Sequence, residues 1–173
     1  MRQDPKNYCG DSRSQVVEQT LHTLEAMAES PLFKSFIREL YQEGPLSLLR
    51  EKDADELLAI AQWIWNSIES YNAYKPEPLI RIETLAPRKL HSLQGKTCVT
   101  IILQHVPFVI DSLISFLARE GYLLQTILHP ILKPIRDASH KITGFHATAA
   151  QQPEELLIYM ELNEQITEEE SQR

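Results

Sequence analysis

Glycine is scarce in this chain, and its five glycines, at positions 10, 44, 95, 121 and 144, each stand alone. A dinucleotide-binding fold needs the pattern GxGxxG, because its backbone must approach a pyrophosphate at a helix N-terminus. A P-loop and the GxSxG turn of serine hydrolases need closely spaced glycines too. The sequence contains none of these three fingerprints, and we predict no catalytic residue in it.

Cysteines, basic blocks and long apolar runs are also few. Cys9 and Cys98 form no CxxC motif, which favours a reduced, cytoplasmic compartment. No apolar run approaches the ~20 residues that cross a bilayer, and the polar start MRQDPKNYCGDS has no signal-peptide core. The net charge is −7 and Lys and Arg are scattered, so we expect no membrane partner and no nucleic-acid partner.

The six histidines do not form a metal-binding pattern. His129, His140 and His146 are spaced by 11 and 6 residues, unlike HExxH and similar ligand sets. His105 stands alone between a strand-like run and a helix-like run. We therefore predict no metal ligand in this chain.

The first part of the chain has helical periodicity, with apolar side chains recurring at helical spacing through residues 12–72. Ser30 before Pro31 predicts a helix start, because serine caps free N–H groups and proline fits the first helical position. Asp53 with Glu56 three residues later predicts another start of the capping-box type. We expect a small helical bundle or hairpin.

Trp63 and Trp65 lie in the last of these helices and cannot both face the same side of it. Trp65 falls on the apolar stripe, so we expect it in the core. Trp63 is either exposed for docking or packed against the second half of the chain.

The pattern changes to strands after a proline-containing linker at 71–78. Residues 79–85 are strand-like with a broken alternation. Four later segments have strand patterns, the third of them weak: 97–103, 122–132, 141–148 and 156–162. Between the first two, Pro107 suits a first helical turn and Gly121 suits the residue after a helix end. The apolar stripe of that helix is expected to be Ile110, Leu113, Ile114 and Leu117.

This order predicts an α+β fold with a helical segment at 1–72 and a second module at 73–173. Strand, helix, strand, weak strand, strand is most of a ferredoxin-like βαββαβ unit, an antiparallel sheet with helices on one face. The run 167–170, Thr-Glu-Glu-Glu, has the capping pattern of a further helix. Two interpretations are open, a last helix that is truncated and an acidic tail.

Several short motifs follow one another in the second module: Pro107-Phe108, Asp111-Ser112, Gly121, His129-Pro130 and Arg136-Asp137. They lie in the run VTIILQHVPFVIDSLISFLAREGYLLQTILHPILKPIRDASHKITGF, which is followed by ELLIYMELNEQI. In their order and spacing they resemble the N-terminal region of the large bacterial NAD-specific glutamate dehydrogenases, and the resemblance covers roughly residues 77–166. Gln104-His105-Val106 stands where the family has an acidic pair before Met-Pro-Phe.

The resemblance implies a truncated ACT-like module, that is, a ferredoxin-like unit of the kind that pairs through its sheet and often binds amino acids. It implies a regulatory segment that is not catalytic alone, needs no cofactor itself, and belongs to an enzyme that oxidises L-glutamate with NAD. The implied partners are the remainder of the same polypeptide, further copies in a homo-oligomer and an amino-acid effector.

In ACT-like modules the effector lies at the loop after the first strand. The candidate effector residues are therefore Gln104, His105, Val106, Pro107, Phe108, Asp111 and Ser112. A helix N-terminus can hold a carboxylate there through free N–H groups, although Asp111 can equally serve to complement the helix dipole. Two alternative functions are a stand-alone amino-acid sensor and a protein-interaction module.

Overall fold

The computed structural model describes residues 8–75, 77–84, 95–146 and 152–163. Five helices lie in these ranges: α1 (Tyr8–Met27), α2 (Pro31–Tyr41), α3 (Leu46–Glu51), α4 (Ala54–Ser70) and α5 (Val109–Glu120). The same ranges contain seven strands: β1 (Leu79–Thr84), β2 (Thr97–Gln104), β3 (Leu124–Leu128), β4 (Ile131–Leu132), β5 (Pro134–Arg136), β6 (Ile142–Phe145) and β7 (Glu155–Leu162).

The predicted helix starts are confirmed. The Phe33 N–H donates to the Ser30 hydroxyl at 3.4 Å, and the Glu56 N–H donates to an Asp53 carboxylate oxygen at 2.8 Å. Each contact satisfies a backbone donor that the first turn of a helix leaves free. The six-residue helix α3 is too short to show a period of its own in the sequence, and it begins after Pro45.

The large sheet has the strand order β1-β2-β7-β3, and every neighbouring pair is antiparallel. The short strand β4 also pairs with β7, so β3 and β4 together flank one side of β7. The chain passes from β2 through α5 to β3, and β7 fills the position between those two strands. This is the split βαβ arrangement of a ferredoxin-like unit, and the predicted α+β, ACT-like fold class is confirmed.

The edge position beside β2 is occupied by β1, which precedes the unit in the chain. In a complete βαββαβ order the last strand would lie there. The sequence predicts a strand-like segment at 79–85 but does not predict its position in the sheet. Its alternation is broken because Arg81 faces the helical bundle, where its guanidinium bonds the hydroxyls of Ser67 and Ser70 at 3.2 Å each.

Helices cover both faces of the sheet, whereas the sequence predicted helices on one face. The α1–α4 bundle shares a continuous buried cluster with one face, through Cys98, Ile102, Leu157 and Tyr159. On the other face α5 packs against Val99, Ile158 and Met160. The prediction described only the helices of the ferredoxin-like unit, and the bundle adds a layer on the opposite face. Trp63 takes the second of its two predicted places, packed against the second half of the chain, with 5.9 Å between its ring centroid and that of Tyr159.

The predicted strand at 122–132 is divided in two. The ladder between β3 and β7 stops at Leu128, and it resumes at Ile131 after His129 and Pro130. Proline cannot donate a ladder hydrogen bond, but the Pro130 carbonyl accepts from Leu157 N–H at 3.1 Å. Pro130 thus interrupts the edge strand, and its own carbonyl keeps the interrupted segment hydrogen-bonded to β7.

The weak strand predicted at 141–148 is β6, and it pairs with β5 in a separate two-stranded hairpin. It therefore adds no strand to the large sheet. The further helix start predicted at 167–170 lies outside the described residues, and the division of the chain at residue 72 stays a prediction.

Helix α5 begins at Val109, so Pro107 precedes the helix instead of lying in its first turn. Phe108 takes the N-cap position in a left-handed conformation, φ 65°, and no side chain caps the helix. Gly121 ends the helix at φ 87°, as its position predicted. The predicted stripe packs on the sheet except for Ile114, which is 39% exposed.

Replacing Gly121 by alanine should lower the free energy of unfolding by about 1 kcal/mol, because a Cβ is disfavoured in the left-handed region. Nothing lies within 4 Å of the added Cβ, so crowding contributes nothing to the loss. Urea unfolding followed by circular dichroism measures the change. Gly121→Asn should lose less, since asparagine tolerates this conformation better. Equal stability of the alanine variant and the native chain would contradict the explanation.

Candidate functional site

The predicted effector corner joins β2 to α5, and its first two residues already have partners. The Gln104 side-chain amide donates to the Ala73 carbonyl at 2.8 Å. The His105 N–H donates to the Glu154 carbonyl at 2.8 Å, and its ring Nδ1 lies 3.4 Å from the Glu154 carboxylate. These contacts fasten the corner to neighbouring segments of the same chain.

The following residues are open to solvent. Pro107, Phe108 and Ser112 line a shallow depression together with Val109 and Leu113. Phe108 is 77% exposed and Val106 is 46% exposed. Asp111 is exposed and does not line the depression. The structure thus brings Pro107, Phe108 and Ser112 together out of the seven candidate residues.

The electrostatics of the corner combine a helix N-terminus with a neighbouring carboxylate. Lys133 Nζ lies 3.0 Å from Glu154, and this bond, with a smaller effect of His105, lowers the pKa of Glu154 below its ordinary value. Glu154 is therefore an anion at neutral pH, held beside His105. At the opening of the corner, the first N–H groups of α5 have no side-chain cap.

A second polar centre, which sequence analysis did not single out as a site, lies next to the corner, at the start of β7. The Arg136 guanidinium donates to both oxygens of Glu155, from Nε at 2.7 Å and from Nη2 at 2.8 Å. Both side chains are 1% exposed. Such a fork-like pair is the geometry in which a buried arginine and a carboxylate stabilise each other best.

Arg136 also connects three separate parts of the fold. Its Nη2 donates to the Ile68 carbonyl in the last turn of α4 at 3.2 Å, and its Nη1 donates to the His140 carbonyl at 2.8 Å. The Gln152 side chain donates to the Arg136 carbonyl and accepts from its N–H. The bundle, the β5–β6 hairpin and the central strand therefore meet at one side chain.

The adjacent Asp137 builds the turn of the hairpin. One carboxylate oxygen accepts from the Ser139 N–H at 2.8 Å, the Ser139 hydroxyl at 2.7 Å and the Lys141 N–H at 3.1 Å. The bond from the Ser139 hydroxyl contributes most to lowering the pKa of Asp137. Arg136 and Asp137 therefore have structural partners throughout.

A third polar centre is buried between the bundle and the other end of β7. Glu161 lies 2.9 Å from Lys52 Nζ and 3.9 Å from Lys96 Nζ, and it accepts from the Tyr159 hydroxyl at 2.9 Å. The Cys98 sulfur is 3.5 Å from that hydroxyl, and burial raises the pKa of Cys98 to about 11. The thiol is therefore protonated at neutral pH and is a poor nucleophile.

The model of one protein family, the glutamate dehydrogenase ACT1 domain, matches residues 36–173. The chain belongs to this family. The match begins within α2, so α3 and α4 belong to the ACT1 region together with the sheet. No curated protein and no solved structure matches the chain significantly.

The corner and the two buried polar centres lie within the ACT1 match. Within each of the three, ion pairs join residues of different helices, strands or loops. No group of three or more His, Cys, Asp or Glu side chains in the described ranges is arranged to hold a metal ion. Among the same residues, every helix is too short or too polar to span a bilayer.

Substituting Arg136 by methionine should destabilise the ACT1 domain by about 3–5 kcal/mol, because it leaves the Glu155 carboxylate buried without its partner. The double variant Arg136→Met, Glu155→Leu should regain at least half of that loss, since no charge is then buried. Chemical denaturation of both variants measures the two values.

Arg119→Met is the matched control. Arg119 pairs with Glu120 on the surface, with the two side chains 72% and 46% exposed, so its loss should cost under about 0.5 kcal/mol. An Arg136 variant no less stable than this control would refute the assigned role.

Proposed function

We propose that this ACT1 domain is the N-terminal regulatory and assembly region of an NAD-dependent glutamate dehydrogenase. The parent polypeptide would convert L-glutamate, NAD⁺ and water to 2-oxoglutarate, ammonium and NADH, in the cytoplasm. The family match over residues 36–173 carries this proposal, because the matching model describes a domain of glutamate dehydrogenase.

The polar groups of the described residues support a role without catalysis in this segment. The most deeply buried charges, on Arg136, Glu155 and Glu161, are bonded to other groups of the same chain. A general acid or base has to reach substrate from a cleft, and these groups are enclosed between layers instead. The hydride transfer would then reside in another part of the parent polypeptide.

The reading frame that encodes this chain should extend into an NAD-binding catalytic region. The full polypeptide should form NADH from L-glutamate and NAD⁺, measured by absorbance at 340 nm, and the 173-residue chain alone should form none. NADP⁺ in place of NAD⁺ tests the cofactor. Light scattering of the full polypeptide with and without this segment tests its part in assembly.

NADH formation by the isolated chain would overturn the proposal that it is not catalytic. A native frame that stops near residue 173 would overturn the proposal of a larger enzyme and leave the alternative function, a stand-alone amino-acid sensor.

The sensor alternative predicts that an amino acid stabilises the isolated chain. At 100 times Kd a ligand adds about 2.7 kcal/mol, which raises the melting temperature of a chain this size by roughly 5–10 °C. Ser112→Trp, which fills the depression at the corner, should abolish the shift. Ser115→Trp, on an exposed position of the same helix outside the depression, should preserve it. No shift with any of the common amino acids argues against the sensor.

A further inference from the structure

Two buried polar atoms between α4 and the large sheet have no hydrogen-bond partner among the described residues. They are the indole Nε1 of Trp63 and the hydroxyl oxygen of Thr100. Thr100 is 0% exposed, and it lies on the same face of β2 as Cys98 and Ile102, which pack against the bundle. A buried polar group without a partner is rare in folded proteins, because it gives up its bonds to water and gains none in return.

Contacts with shared neighbours place the two atoms in one region. Thr100 lies in register with Tyr159 on β7 and with Arg81 on β1. The Trp63 ring meets the Tyr159 ring edge to face, with 5.9 Å between centroids. Arg81 bonds Ser67, which lies one helical turn after Trp63 and donates to its carbonyl. The side of α4 that carries Trp63 thus lies over the strand position of Thr100.

The chemistry of the two atoms restricts what can join them. The indole nitrogen is a donor and cannot accept, so its partner must accept a hydrogen bond. The threonine hydroxyl both donates and accepts. An ammonium group or a metal cation cannot accept from the indole. The neighbouring cation, Arg81, is already bonded to the hydroxyls of Ser67 and Ser70, so an anion here would have to compete for it. A small neutral molecule that both accepts and donates meets these conditions.

We propose that one internal water molecule occupies this position and bridges Trp63 to Thr100. The water accepts a hydrogen bond from the indole N–H. It forms a second hydrogen bond with the Thr100 hydroxyl, in which either oxygen can be the donor. Two protein partners are within the range that buried waters have. The bridge connects α4 to β2 between the Arg136 centre and the Glu161 centre, on the side of Glu161, and adds a hydrogen-bonded link between the bundle and the sheet.

Nuclear magnetic resonance of the 173-residue chain tests the bridge directly. A ¹⁵N-edited NOESY and ROESY pair should show a cross-peak between the Trp63 indole proton and water, with the sign of a long-lived water. The Trp63→Phe variant lacks one of the two indole signals, and the missing signal is that of Trp63 and not of Trp65. A crystal structure that resolves waters should place an oxygen within about 3.2 Å of both atoms.

Two variants of Thr100 distinguish a bridge from a water that is merely close. Thr100→Val keeps the shape and removes the hydroxyl, and it should reduce the water cross-peak at least twofold. Thr100→Ser keeps the hydroxyl and should retain the peak. If the native chain shows no such peak and its indole N–H points at the Tyr159 ring or at a carbonyl, the proposal is overturned. That result needs no variant to fold.

Discussion

The burial of β7 on both faces is the constraint on which the rest of the structure depends. All eight of its residues are buried, with α5 against one face and the helical bundle against the other. The leucine, isoleucine and methionine side chains of β7 are stable in this buried position because they pack against apolar neighbours. Glu155 and Glu161 are not stable there alone, so each must be paired inside the protein. The two largest polar centres follow from this requirement: Arg136 meets it at one end of the strand, and Lys52 with Tyr159 meets it at the other.

Local patterns in the sequence predicted the local parts of this structure. The alternation within 97–103 and 156–162 predicted the strands β2 and β7, because a strand has a period of two. Ser30, Asp53 and Gly121 marked helix ends through contacts and dihedral angles that involve a few neighbouring residues. The place of β1 at the sheet edge and the docking of the bundle depend on contacts between distant residues, and no short pattern encodes those.

The candidate corner illustrates the same difference. Its location between a strand and a helix was predictable, but Pro107 was predicted in the first helical turn and lies before the helix. The partners of Gln104 and His105 were not, since Ala73 is 31 residues away and Glu154 is on the segment that leads into β7. Arg136 bonds a carbonyl 68 residues earlier in the chain. The family motif Arg136-Asp137 thus marks a junction of layers and a turn, and the seven effector residues stay a prediction.

The strand order has a consequence for synthesis. Strand β7 is the last described element to leave the ribosome, and yet β2, β3 and β4 all pair with it. Before residues 155–162 emerge, β2 can pair with β1, but β3 and β4 have no partner in the large sheet. The helices α1–α4 emerge early and contact one another locally, so they can assemble before the sheet is complete. The apolar face that later packs on the sheet is exposed until then. Until β7 is made, the pairing edges of β3 and β4 stay open, and open strand edges favour aggregation and chaperone binding.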